Sequence, residues 1–384
     1  MNKRIVIIGA SDLQLPLILK AKEMGYETHV FAWAAGDVGE TAADHFYPIS
    51  ITETDQILEE CRKIQPAAVA SIASDLAAIA VNRIANGLGL PGNPPETAII
   101  ATNKYEMRKT FRAAGLPVPQ FMKVGKDDDL SEIRRMRLPI IVKPTDRSGS
   151  RGIYKLTSFD KVQDAVAEAC QESFEHRAIV EEYIEGDEFS CECISQNGEH
   201  HCLAITKKYT TGAPHFIETG HTEPSGLSKE ICACVQAHVY KALDALHIRN
   251  GASHSEFKVM PGSEEIRLIE IGARMGGDCI GSDLVELSTG YDFVKMVIQC
   301  AEGVPIELSQ KTHAKAAAVR YIMNRADYEY YRNLSEGERK HIVRTSNIHR
   351  PETDQPGDSS KRSGFYLVSG EDPEKVLEIA NLTE

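Results

Sequence analysis

The sequence is short of several things, and each shortage excludes something. No apolar run approaches the roughly 20 residues of a membrane-spanning helix. The apolar stretch near the start, Ile5 to Ile8, stops at Ser11-Asp12, too soon for the core of a secretory signal. A membrane partner is therefore not expected, and the expected location is cytoplasmic. Positive charge is in deficit: 43 Lys and Arg face 56 Asp and Glu, for a net charge of −13. That balance argues against a broad nucleic-acid surface, though not against a small basic pocket for phosphates. Cysteine is present nine times, an odd number, with no CxxC. Neither Cys191/Cys193 nor Cys232/Cys234 has histidines behind it at zinc-ligand spacing. The thiols read as small buried hydrophobes of a reducing compartment. What remains is ordinary for a globular protein, 42% hydrophobic and 26% charged, and 384 residues suggest two or three domains.

Dinucleotide and Walker motifs are also missing. Residues 4–9 read as a buried parallel strand, Leu13 to Gly25 as a helix and Thr28 to Trp33 as a second strand. Ile57 to Ile64 (helix), Ala67 to Ala73 (strand) and Ala77 to Gly87 (helix) continue the alternation. Such a βαβ pattern predicts a doubly wound, Rossmann-like domain over residues 1–95. Yet Gly9-Ala10-Ser11-Asp12-Leu13-Gln14 has one glycine where GxGxxG needs three, and no acidic residue closes the second strand. Nicotinamide or flavin binding is not expected. The strand ends at Gly9 to Asp12 and Ser74-Asp75 remain available to a crevice shared with a later domain. Pro91-Gly92-Asn93-Pro94-Pro95 marks the first boundary.

Beyond it, Glu96 to Ala114 reads as one helix containing Lys104. Leu138 to Pro144 is a strand with Lys143 at its end. A glycine- and serine-rich loop follows, Asp146-Arg147-Ser148-Gly149-Ser150-Arg151-Gly152. Its backbone N–H groups can approach phosphate oxygens closely, although no GxxxxGK[ST] is present. Ala178 to Gly186, with Glu181-Glu182-Tyr183-Ile184, is a strand running into a turn, and Glu188 to Ile194 is another strand. Residues 199–224 read as irregular and Leu227 to Leu246 as an amphipathic helix. Ala314 to Ile322 and Phe365 to Ser369 read as strands, with a hydrophilic surface loop at 346–363.

The most informative stretch is 254–277. Two apolar-alternating runs flank a polar turn at Met260 to Glu265, a hairpin signal. The first run carries Glu256 and the second Glu270. Carboxylates paired across strands repel, and a hard divalent cation would reverse that sign. Arg274, four residues after Glu270, could grip a carboxylate or phosphate with parallel hydrogen bonds.

Taken in order, Lys104, Lys143, the 146–152 loop, Glu181 to Ile184, Glu188, Glu256, Glu270 and Arg274 resemble the ATP-grasp family. The resemblance implies an α/β fold with a Rossmann-like domain at 1–95 and an ATP-grasp fold in two subdomains. These would be a small subdomain with linker helices at 96–185 and a large one at 186–310, followed by a C-terminal segment at 311–384. It implies ATP with Mg2+ or Mn2+ as cofactors. Lys104 and Lys143 would neutralise phosphates, and Arg147, Ser148, Gly149, Ser150 and Gly152 would close over them. Glu181, Glu182 and Ile184 would form the adenine hinge, and Glu188 would hold the ribose. Glu256 and Glu270 would hold metal, and Arg274 would sit by the transferred phosphoryl group and the substrate carboxylate; Arg274, Lys143 and Glu270 are the catalytic candidates.

The implied reaction activates a small carboxylic acid, nearest the amino-acid and dipeptide ligase branch, as an acyl phosphate and joins it to an amine. The implied partners are ATP and those small molecules, and a homodimer is left open. A biotin-carboxylase-like or purine-pathway enzyme, and an ATP-binding protein without catalysis, are the alternatives. One departure stands out. Many relatives read Glu-x-Asn-x-Arg where this chain has Glu270-Ile271-Gly272-Ala273-Arg274. Either water completes the metal shell, or Gly272 leaves room for substrate.

Overall fold

The structure is a computed structural model, and it describes residues 3–147, 151–213, 216–310, 315–353 and 358–382. Three sheets organise it. The first contains β1 (Arg4–Ile8), β2 (Glu27–Phe31), β3 (His45–Tyr47) and β4 (Ala68–Ala70) in the order β3-β2-β1-β4, all parallel. β1 is the apolar run Arg-Ile-Val-Ile-Ile, buried on both faces as parallel strands are. Its neighbours leave from opposite sides, so the crevice at the carboxyl ends of β1 and β4 is the switch point where doubly wound sheets take ligands.

The second sheet, β5-β8-β6-β7, is antiparallel and small. It contains β5 (Phe121–Val124), β6 (Ile140–Pro144), β7 (Tyr154–Leu156) and β8 (Ala178–Glu182). The helix Val162–Glu172 covers it through Val162, Val166 and Ala169.

The third sheet has eight strands. They are β9 (Asp187–Gln196), β10 (Glu199–Thr210), β11 (Glu218–Glu223), β12 (Gly251–Val259), β13 (Ile266–Gly272), β14 (Ala316–Tyr321), β15 (Ile342–Thr345) and β16 (Phe365–Gly370). Their order is β13-β12-β9-β10-β11-β14-β16-β15. The helix Lys229–Ala245 packs on one face through Val235, Val239 and Leu243. The helix Phe293–Glu302 joins this sheet to the first through Phe293, Met296 and Val297.

The structure departs from the sequence reading in three places. The helix expected over Glu96 to Ala114 is two helices, Pro95–Ile100 and Lys104–Ala113. Asn103 breaks it: its side chain accepts from the backbone N–H groups of Tyr105 and Glu106, which starts a new helix and puts Lys104 in its first turn. Residues 199–224 are not irregular but form β10 and β11. The overlooked signal is Asn197-Gly198, both at positive φ (55° and 86°), the two-residue turn that joins β9 to β10. Finally, β14, β15 and β16 extend the large sheet beyond residue 310, because β14 pairs with β11. The division drawn at 310 therefore falls inside one continuous sheet.

Candidate functional site

The three sheets surround one large cavity of about 660 Å3. Its floor is the β12–β13 hairpin. The register sets Glu256 directly opposite Glu270, and a bulge follows at Glu256/Phe257. Both carboxylates line the cavity, and cations sit on both. Lys104 Nζ lies 2.9 Å from Glu270 Oε1 and donates to the Arg147 carbonyl at 2.8 Å. Lys208, on β10, contacts Glu256 closely, and His254 Nε2 lies 3.3 Å from the same oxygen. Burial alone would raise the Glu256 carboxyl; Lys208 and His254 override it and hold it well below the usual carboxylate range. The same oxygens are hard donors that a divalent cation takes readily, so Glu256 and Glu270 could hold one together with phosphate oxygens.

Lys143, at the end of β6, is 6% exposed and pairs with Glu181 on β8. Arg108 grips the same carboxylate from the helix Lys104–Ala113, at 2.8 Å and 3.3 Å. Burial works to raise Glu181, but Arg108 and Lys143 bring it down to about 2. Burial pushes the Lys143 ammonium below its ordinary value, with Glu181 opposing. The Glu181 side chain is thus a buried counter-ion as well as part of the expected hinge. Glu182 accepts from the Arg137 backbone N–H at 2.8 Å, which anchors the turn after β8. Ile184 and Glu188 line the cavity, and Glu188 lies 3.4 Å from Lys208. Arg147 lines it too, with its guanidinium 4.5 Å from the Phe174 ring centre. Gly152 follows at φ 65°. Ser148, Gly149 and Ser150 lie outside the described residues.

Arg274 lines the same cavity. It bonds Asp75, at the start of the helix Asp75–Leu88, at 2.9 Å and 3.3 Å. This clamp explains the Gly272 departure. A Cβ at 272 would lie 2.9 Å from the Asp75 carboxylate and 3.2 Å from Arg274 Nε. The room that Gly272 leaves is taken up in part by the Asp75 carboxylate, from the first sheet's side.

Sequence reasoning missed several cavity residues. Lys208 and His221 lay in the stretch read as irregular. His254 bonds Glu192 at 2.5 Å; burial would lower its pKa, but the Glu192 carboxylate pushes it up to about 9. Alternation along β9 and β12 could have found that pair, since Glu192 and His254 are cross-strand neighbours. Gly9 to Ser11 and Ala73 to Asp75 line the same cavity, as their strand ends suggested.

Two lysines paired with the opposed carboxylates, and a third, Lys143, lining the same cavity on another element, supply what a polyphosphate and its cation require. Comparison with known proteins names the class. The ATP-grasp domain matches residues 136–283. D-alanine–D-alanine ligase B of Chromobacterium violaceum is 30% identical over 227 residues, 57% of this chain and 69% of that enzyme. Alanine–anticapsin ligase of Bacillus subtilis is 30% identical over 213 residues, 50% of this chain and 44% of that enzyme, so the match spans less than half of that relative. The structure of an L-amino acid ligase from Bacillus licheniformis superposes with a TM-score of 0.83 at 22% identity, covering 99% of this chain and 97% of that one, which is a likeness of fold. The chain belongs to the ATP-grasp family, and it is an ATP-dependent carboxylate–amine ligase. Among the described residues no helix is long and apolar enough to cross a membrane.

Proposed function

We propose that the cavity binds ATP with Mg2+ or Mn2+ and joins an amino acid, through its carboxylate, to an amine. One observation supports this reading above the rest: Glu256 and Glu270 face each other in register, each already matched by a lysine in the same cavity as Lys143. ATP brings about four negative charges. Lys104, Lys143, Lys208 and the protonated His254 offset them, with burial strengthening each contact. Glu256 and Glu270 would hold the metal, which supplies charge neutralisation at the phosphates. Arg147 and Gly152 flank the loop that would cover those phosphates. Glu182 to Ile184 would meet the base and Glu188 the ribose.

In the reaction, an oxygen of the acid attacks the γ-phosphorus and the bond to the β–γ bridging oxygen breaks, releasing ADP. The amine nitrogen then attacks the acyl carbon, the carbon–oxygen bond to phosphate breaks, and a proton leaves the nitrogen. The chain's part is to hold the reactants in line and exclude water from the acyl phosphate. Arg274, held by Asp75, would direct a guanidinium edge at the acid. An amino acid is the favoured acid because both curated relatives above are named as ligases of alanine; purine-pathway and biotin-carboxylase readings rest on fold alone. All nine cysteines are free thiols, in keeping with a reducing cytoplasm.

The test is an ADP-release screen over pairs of amino acids and amines. Release only when both are present is expected, and Glu270→Ala should abolish it while circular dichroism and melting stay close to wild type. AMP as the product, or full activity in Glu270→Ala, would defeat the assignment.

A further inference from the structure

On the face of the large sheet covered by the helix Lys229–Ala245, three thiols meet. Cys191 and Cys193 stand two apart on β9 and share one face, and Cys202 on β10 is the register partner of Cys193. Cys191 Sγ lies 3.6 Å from Cys193 Sγ and 3.4 Å from Cys202 Sγ. All three sulfurs fall within 4.8 Å of one another. In the sequence the first two cysteines lack a partner; the Asn197-Gly198 turn supplies one by folding β10 back along β9. Glu192, between them, points to the opposite face, where it bonds His254 of the cavity.

Several features separate this cluster from thiols that only fill a core. The first is spacing. Thiolates bound about 2.3 Å from one tetrahedral cation lie about 3.8 Å apart, and these sulfurs already stand close to that. The second is the backbone. A bulge falls between Cys202 and Ala204, so that Leu203 and Ala204 both enter the core on one face while Cys202 stays with Cys191 and Cys193 on the other. Bulges re-aim side chains in this way beside functional sites. The third is polarity. Cys202 accepts from the S–H groups of Cys191 and Cys193, and these bonds hold its thiol well below the ordinary value against the opposing effect of burial, with Gln236 of the helix helping. The thiolate is the form that binds metal. Last, Cys191 and Cys193 are fully buried but Cys202 is part-exposed, which gives an ion a way in.

We propose that Cys191, Cys193 and Cys202 form a site for one soft, thiophilic cation of the Zn2+ class, separate from the magnesium of the ATP site. Cys202 brings its sulfur as the thiolate. Cys191 and Cys193 lose their protons to solvent as their sulfurs bond the ion, so binding releases about two protons. Sulfur ligands discriminate against Mg2+, which takes oxygen. The ion would staple β9 to β10, the strands that carry Glu188 and Lys208 into the cavity, so its role is structural support behind the nucleotide site.

The experiment uses the full chain, reduced and freed of metal, titrated with Cd2+ in excess Mg2+. The ultraviolet thiolate-to-cadmium band should saturate at one Cd2+ per chain, stay unchanged when ATP is added, and disappear as Zn2+ displaces the probe. Cadmium NMR, whose shift counts sulfur ligands, should report three. Cys202→Ser should weaken Cd2+ binding roughly tenfold or more. Cys234→Ser should leave it within about twofold, although Cys234 Sγ lies 3.5 Å from His238 Nδ1 and offers a competing thiol. Absence of the band at one equivalent, or fewer than three sulfurs by NMR in the unaltered chain, would overturn the proposal whether or not the Cys202 variant folds. So would a band that survives Cys202→Ser or vanishes in Cys234→Ser.

Discussion

Glu223 ends β11, the strand that also carries Glu218 and His221, and it is 1% exposed. Thr206 Oγ1 donates to it at 2.7 Å and Ser288 Oγ at 2.6 Å. Among the described residues no cation joins them. Burial therefore prevails over both hydroxyls and pushes the carboxyl up from 4.5 to about 8. A carboxyl whose folded pKa lies above its unfolded one keeps its proton in the folded chain. Its contribution to stability is full below about pH 4.5 and is lost as pH rises toward about 8, at about 1.36 kcal/mol per pH unit. Between pH 5 and pH 8 that amounts to about 4 kcal/mol. Glu223→Gln keeps the shape and cannot ionise, so its advantage over the parent should grow by this amount across the window. With about 2.1 cal/mol/K of unfolding entropy per residue, a chain of 384 residues gains about 5 °C in relative Tm. Melting of both proteins at pH 5, 6.5 and 8 is the assay. A difference that stays constant with pH would refute the reasoning, because then Glu223 does not change its proton count on folding.

Two further outcomes follow from the site. Gly272→Asn should destabilise by about 2 kcal/mol, read by urea midpoint, because its Cβ meets the Asp75–Arg274 clamp. The loss should be smaller in an Asp75→Ala background, and an equal loss in both would exclude the clamp as its cause. Lys143→Met should raise the Kd for ATP roughly 10- to 100-fold, the worth of one buried charge-assisted contact. Since Lys143 is 6% exposed, the ratio should persist between 0.1 and 0.5 M salt; a ratio that collapses at high salt would mean a solvated lysine.

Much of this was legible in the sequence because it is local. The parallel strand at Arg4–Ile8 follows from an unbroken apolar run, and the hairpin at 251–272 from alternation around a polar turn. The placing of Glu256 against Glu270 followed from that alternation, since the hairpin's register is set within a score of residues. Other features were visible but misread. Asn197-Gly198 announces a hairpin, and Asn103 a helix start, yet both were passed over within longer patterns.

What the tertiary structure alone decided involves partners far apart in the chain. No periodicity links Arg108 to Glu181, Lys208 to Glu256, or Asp75 to Arg274, although each pair meets within about 3 Å. Gly272 shows the difference most plainly. From the sequence it was a missing ligand; in the fold it is the clearance for a carboxylate from a residue 197 positions earlier. Strand patterns are written by short-range sterics and burial, whereas charge pairs across domains depend on how whole sheets dock, and that information is spread over every packing contact in the chain.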